Sequence, residues 1–265
     1  MESITVSTSP HVHYVLRLAD TCLIHAQRLS EWCGHGPVLE EDIALTNLSL
    51  DLIGQSRALL SHAGALEGQG LDEDQLAFLR GEQQYYNLTL AEQPMRRSSA
   101  HSPGGDFADT VVRNLLLSVW WRLQWQALSH SSDVELSAIA GKALKESRYH
   151  EAHAAQWVIR LGDGTAESHA RAQAAVNRAW PYTAEMFADD STDAYATSQG
   201  MGPARSSLRS DWTVAVQAVL EEATLTIPAT TAFLSTGSRG VHSEHMGFIL
   251  AEMQYLQRAF PGGRW

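Results

Sequence analysis

Apolar residues recur at helical spacing along most of this chain. Between residues 11 and 33, Tyr14, Leu16, Leu18, Cys22, Leu23, Leu29 and Trp32 alternate with polar positions in the period of an amphipathic helix. Gly34, Gly36 and Pro37 stop that pattern. Residues 39–66 predict a second long helix, apolar on most sides (Leu39, Ile43, Leu45, Leu48, Leu50, Leu52, Ile53, Leu59, Leu60) and so expected to be buried in a bundle. Glu40, Glu41 and Asp42 fall in its first turn, where the helix dipole favours anions. A shorter helix is expected over 72–86 and a long one over 107–130, containing Trp120, Trp121 and Trp125. The next, 133–161, opens on a capping Asp133 and closes at Gly162-Asp163-Gly164. Further helices are expected over 166–188, 205–226 and 242–260. Residues 1–10 read as a loose leader and 93–105 (QPMRRSSAHSPGG) as a flexible linker. No strand pattern or repeat period is visible. The expectation is one all-α, bundle-centred domain spanning 1–265.

Composition narrows the function more than the fold. An apolar fraction of 44% and a charged fraction of 18% support a packed core and exclude bulk disorder. With 19 basic and 30 acidic residues the net charge is -11, and no basic stripe is present, which argues against nucleic acid as a partner. No run approaches 18 apolar residues, so no helix is expected to span a membrane. The N-terminal segment has neither the basic start nor the apolar stretch of a secretory signal, and a cytoplasmic location is expected. If Cys22 and Cys33 both lie on the first helix they are about 16 Å apart and could not bridge within it, so reduced thiols are expected.

Long-helix bundles of this kind carry carboxylate-bridged di-iron centres. Those centres take a Glu-x-x-His pair from each of two helices and a lone Glu from each of the other two. Here no Glu or Asp is followed by His three residues later: Glu146 leads to Tyr149, Glu151 to Ala154 and Asp51 to Gly54. What the chain does offer is a polar row of Asn47, Asp51 and Gln55 at i, i+4 and i+8 on the second helix. The fourth long helix adds Glu146, His150 and His153. Two readings of these residues stand side by side. One is a metal site from Glu146, His150 and His153, with Asp51. The other is a polar core in which Asp51 or Glu146 pairs with an arginine such as Arg17, Arg57 or Arg113. His242, Glu244 and His245 open the last helix and read as ordinary helix-start residues, and Trp120, Trp121 and Trp125 as core or a subunit interface. No Gly-x-Ser-x-Gly elbow, phosphate-binding glycine loop or dinucleotide fingerprint is present.

Several ordered blocks carry a resemblance. They are Arg28-Leu29-Ser30-Glu31-Trp32-Cys33-Gly34-His35-Gly36-Pro37, Leu50-Asp51-Leu52-Ile53-Gly54-Gln55-Ser56-Arg57, Asp106-Phe107-Ala108-Asp109-Thr110 and Lys145-Glu146-Ser147-Arg148-Tyr149-His150. Leu161-Gly162-Asp163-Gly164-Thr165, the run Leu250 to Arg258, and a Pro-Gly-x-x-Trp end at 261–265 complete the set. Together, from about residue 13 onward, they resemble the C-subunit family of the multicomponent phenylacetyl-CoA 1,2-epoxidase. The resemblance implies a ferritin-like helical bundle with additional helices. It also implies a hetero-oligomeric role in aerobic phenylacetate breakdown, structural and non-catalytic. The di-iron centre is then expected in a partner A subunit, alongside a small B subunit and a reductase carrying FAD and iron–sulfur. No catalytic, cofactor-binding or metal residue is carried over to this chain. Asp51, Glu146, His150 and His153 stand as candidate remnants of an ancestral metal site.

Overall fold

The computed structural model describes residues 3–6, 9–94, 106–229 and 232–263. Its helices are α1 Pro10–Ser30, α2 Leu39–Glu67, α3 Glu73–Phe78, α4 Thr89–Glu92, α5 Phe107–Leu128, α6 Val134–Gly162, α7 Ala166–Ala179, α8 Ser191–Ser198, α9 Arg209–Glu222 and α10 Glu244–Ala259. Among the described residues there is no strand, only two isolated bridges, Ile4 with Arg80 and Thr236 with Val241. The caps explain where helices start. Asp106 and Asp133 accept the N–H groups of Ala108 and Leu136 at the heads of α5 and α6. Gly68, at φ 79°, ends α2 in the left-handed conformation that a side chain would resist.

Two helical hairpins form the centre. The α1 helix lies along α2, α5 lies along α6, and α2 packs on α6. Side chains close the square between α1 and α5: Gln124 Nε2 donates to the Tyr14 hydroxyl at 3.2 Å, and His25 meets Asn114 at 2.9 Å. The remaining helices clothe this core, with α7 and α9 on α5 and α6, α8 on α1, and α10 against α3 and α4. The fold is all-α and consistent with a ferritin-like bundle carrying additional helices.

The two helices of the first hairpin reverse their expected burial. The amphipathic-looking α1 is buried on nearly every side, including Arg17, Asp20, Thr21, His25 and Arg28. The apolar-looking α2 instead leaves Leu39, Ile43 and Leu50 at the surface, with Leu39 72% exposed. Trp120, Trp121 and Trp125 are core residues and present no surface; the rings of Trp121 and Trp125 stack at 4.8 Å and 8°.

Other expectations shift in detail. Residues 3–6 of the expected leader are held in place: the Ile4 N–H donates to the Leu79 carbonyl and Val6 is buried. Of the linker 93–105, only Gln93 and Pro94 belong to the described residues. The helix expected over 72–86 stops at Phe78, because Arg80 turns inward to pair with Asp20 while its Nε bonds the Leu76 carbonyl. The one expected over 166–188 becomes 3₁₀ from Trp180, where Pro181 has no N–H to extend the ladder.

Candidate functional site

The polar row of α2 faces the polar row of α6. Asp51 Oδ2 meets His150 Nε2 at 3.0 Å, Gln55 Nε2 donates to Glu146 Oε2 at 2.9 Å, and Glu41 Oε2 meets His153 Nε2 at 2.8 Å. Lys142 Nζ lies 3.6 Å from the other oxygen of Glu146. From α1, the Cys22 thiol approaches Gln55 Oε1 at 3.6 Å. His25, also on α1, and Asn114, on α5, form a further buried pair. Asn47 points to solvent.

The helical period that brought Asp51 and Gln55 onto one face therefore does bring them against Glu146 and His150. The expected arginine partners lie elsewhere. Arg17 bonds Asp190 and Asp193, Arg57 bonds Glu73, and Arg113 donates to the Gln93 carbonyl. Imidazole and amide groups take their place, because the arginines are drawn to acceptors outside the central four helices.

Two groups at the centre, His25 and Cys22, are held neutral by burial. Burial, aided by Arg113, pushes His25 down to about 3, with the Asn114 bond opposing. Burial, with Glu146 and Asp20 nearby, raises the Cys22 thiol well above its ordinary value. The donor set does not fit a bundle di-iron cage, which draws carboxylates from all four helices. Asp20 on α1 pairs with Arg80, and Asp109 on α5 pairs with Arg178, so neither helix brings a carboxylate to these residues. Asp51, Glu41 and Glu146 each face a different imidazole or amide, His150, His153 and Gln55, rather than converging on one point.

Histidines at the start of α10 do not join this centre. His242 is enclosed between Glu92 Oε2, at 2.8 Å, and the Tyr85 carbonyl, at 2.9 Å. His245 lines a separate cavity of about 400 Å³ with Leu90, Asp109, Arg113, Arg178 and Tyr182. Asp51, Glu146, His150 and His153 are not part of its walls. No motif or spacing announces this cavity, because its lining comes from α4, α5, α7 and α10, which are distant in the chain.

A sequence profile of the family described as phenylacetic acid catabolic protein matches residues 1–265. The chain belongs to this family. It is also 46% identical over 252 residues to the C subunit of the 1,2-phenylacetyl-CoA epoxidase of Escherichia coli strain K12, covering 95% of this chain and 98% of that protein. The family resemblance read from the ordered blocks is thereby established. No helix among the described residues is long and apolar enough to cross a membrane.

Proposed function

We propose that this chain is the structural, non-catalytic subunit of a phenylacetyl-CoA 1,2-epoxidase and stabilises the A subunit that bears the di-iron centre. The observation that carries this reading is the donor set at the bundle centre. Where a di-iron cage needs carboxylates from four helices, α1 and α5 bring Cys22, His25 and Asn114, and no Glu-x-x-His occurs in the chain. The similarity to the C subunit of the Escherichia coli epoxidase supports a place in such an enzyme, and the family description supports a role in phenylacetate catabolism. On this reading the chain works in a cytoplasmic hetero-oligomer with the A subunit, a small B subunit and a reductase holding FAD and iron–sulfur, and carries none of those cofactors itself. Exposed Leu39, Ile43 and Leu50 on α2 and Phe248 and Tyr255 on α10 supply apolar surface suited to burial against other subunits.

The test is O2-dependent epoxidation of phenylacetyl-CoA by the A subunit produced with and without this chain. The A subunit alone should be inactive or unstable; full activity without this chain overturns the proposal. Iron content separates the rival reading, in which the chain holds its own metal at Glu146, His150 and His153. Purified alone after iron-replete expression, this chain should contain close to none. One or two irons per chain, lost in His150→Ala, would establish the rival.

A further inference from the structure

A second group of histidines converges near one end of the central hairpins. His11 stands in the first turn of α1, His62 near the end of α2, and Asp133 at the cap of α6. His11 Nε2 lies 2.8 Å and His62 Nε2 2.7 Å from the same Asp133 oxygen, Oδ2. All three atoms fall within 4.8 Å of one another. The two rings meet edge to face at 6.2 Å between centroids. The other Asp133 oxygen is held by the Leu136 N–H at 3.0 Å, which fixes the carboxylate plane. The Asp133 and His62 side chains are largely enclosed, at 7% and 11% exposure, while His11, at 29%, leaves an approach from solvent.

We propose that His11 Nε2, His62 Nε2 and Asp133 Oδ2 bind one divalent transition cation of the zinc class. Two imidazole nitrogens and one carboxylate oxygen suit a borderline cation, whereas magnesium and calcium take mainly oxygen ligands. Three protein ligands leave a position for water on the side open at His11. Zinc bonds of about 2.0–2.2 Å in tetrahedral geometry require the two N···O separations to widen by roughly half an ångström. His11, partly exposed at a helix start, is the side chain free to make that shift. The ion would replace two N–H···O bonds and join α1, α2 and α6 at one point. This inference does not rest on the proposed function: it concerns a different set of residues and a different metal.

The test is a titration of the chelator-stripped full chain with Zn²⁺ by calorimetry and with Co²⁺ by visible absorption. One equivalent should bind and should raise the melting temperature, because an ion that binds only the folded state stabilises it. His62→Ala and Asp133→Asn should each weaken binding by about 100-fold, the upper end of what losing even a supporting hydrogen-bond partner costs a metal site. Asparagine still caps a helix, so Asp133→Asn keeps the α6 start while removing the anionic ligand. Cys33→Ser, which alters the exposed thiol beside His35, should leave the affinity unchanged. Absence of stoichiometric binding overturns the proposal. So does an affinity that ignores His62→Ala and Asp133→Asn, or one that falls with Cys33→Ser.

Discussion

Two buried polar regions of this molecule are built on opposite terms. Where α1 meets α8, full charges converge. Asp193, 1% exposed, accepts from Arg17 at 3.2 Å and from Arg205 Nε at 3.0 Å, while Asp190 takes a second bond from Arg17 at 2.7 Å. Between α1, α2, α5 and α6, imidazole, amide and thiol groups meet one another and the carboxylates of Asp51, Glu41 and Glu146, with no arginine among them. Some ring and amide nitrogens there, His25 Nδ1 and Asn114 Nδ2, have no partner. The charged junction fastens a peripheral helix to the core. The bundle centre, where a di-iron protein gathers carboxylates from four helices, here holds carboxylates from α2 and α6 alone, each facing an imidazole or an amide.

That contrast can be tested by breaking each region in turn. The largest effect should come from Asp193→Ala, which leaves Arg17 and Arg205 buried with less than their full compensation. Chemical denaturation should show a loss of about 3–5 kcal/mol. At the centre, Asn114→Ala removes one neutral partner of His25 and should cost only about 1–3 kcal/mol in the same measurement. If the two losses prove equal, the distinction between the regions fails.

Acid should find the centre too. His25 is held near 3 when folded and returns towards 6.5 when unfolded. Between those values the unfolded chain binds the extra proton, so stability is complete above about pH 6.5 and falls on acidification. The slope from this one group is about 1.4 kcal/mol per pH unit. His25→Gln should flatten the stability–pH profile by that amount, measured by urea denaturation from pH 6.5 to 4.5. A residual slope should persist from His13, which burial and Arg17 push down to about 4.

The smallest effect on folding, and the most useful for assembly, belongs to the exposed side of α2. Leu39→Ser and Leu50→Ser should change stability by no more than about 0.5 kcal/mol. On the proposed function they should weaken capture of the A subunit in a pull-down. Undiminished capture would remove this face from the interface.

Long helices with strong periodicity were readable from the chain alone. The bounds of α2, α5 and α6 lie within two residues of those expected, because their caps and stops are local chemistry. Short helices were less so: α3 was expected but overlong, and α8 was not expected at all. The α8 segment, Ser-Thr-Asp-Ala-Tyr-Ala-Thr-Ser, has no apolar period; its helix follows from Asp190 capping the Thr192 and Asp193 N–H groups and from the arginines that hold it. Helix period likewise placed Asp51 opposite His150, but it could not say that Arg17 would reach α8 instead. Nor could it reveal which side of α2 stays uncovered, since burial depends on neighbours distant in the chain. His11, His62 and Asp133 share no motif; 71 residues separate the nearer pair bonded through Asp133.

The two cysteines differ in a way that bears on handling the protein. Cys22 is sealed in the core with its thiol held protonated, and Cys33 sits in the open just past α1. A maleimide dye should therefore modify the native chain once, at Cys33, and twice only after denaturation. That single attachment point, beside the turn into α2, gives a fluorescence reporter for the approach of another subunit with no engineered residue.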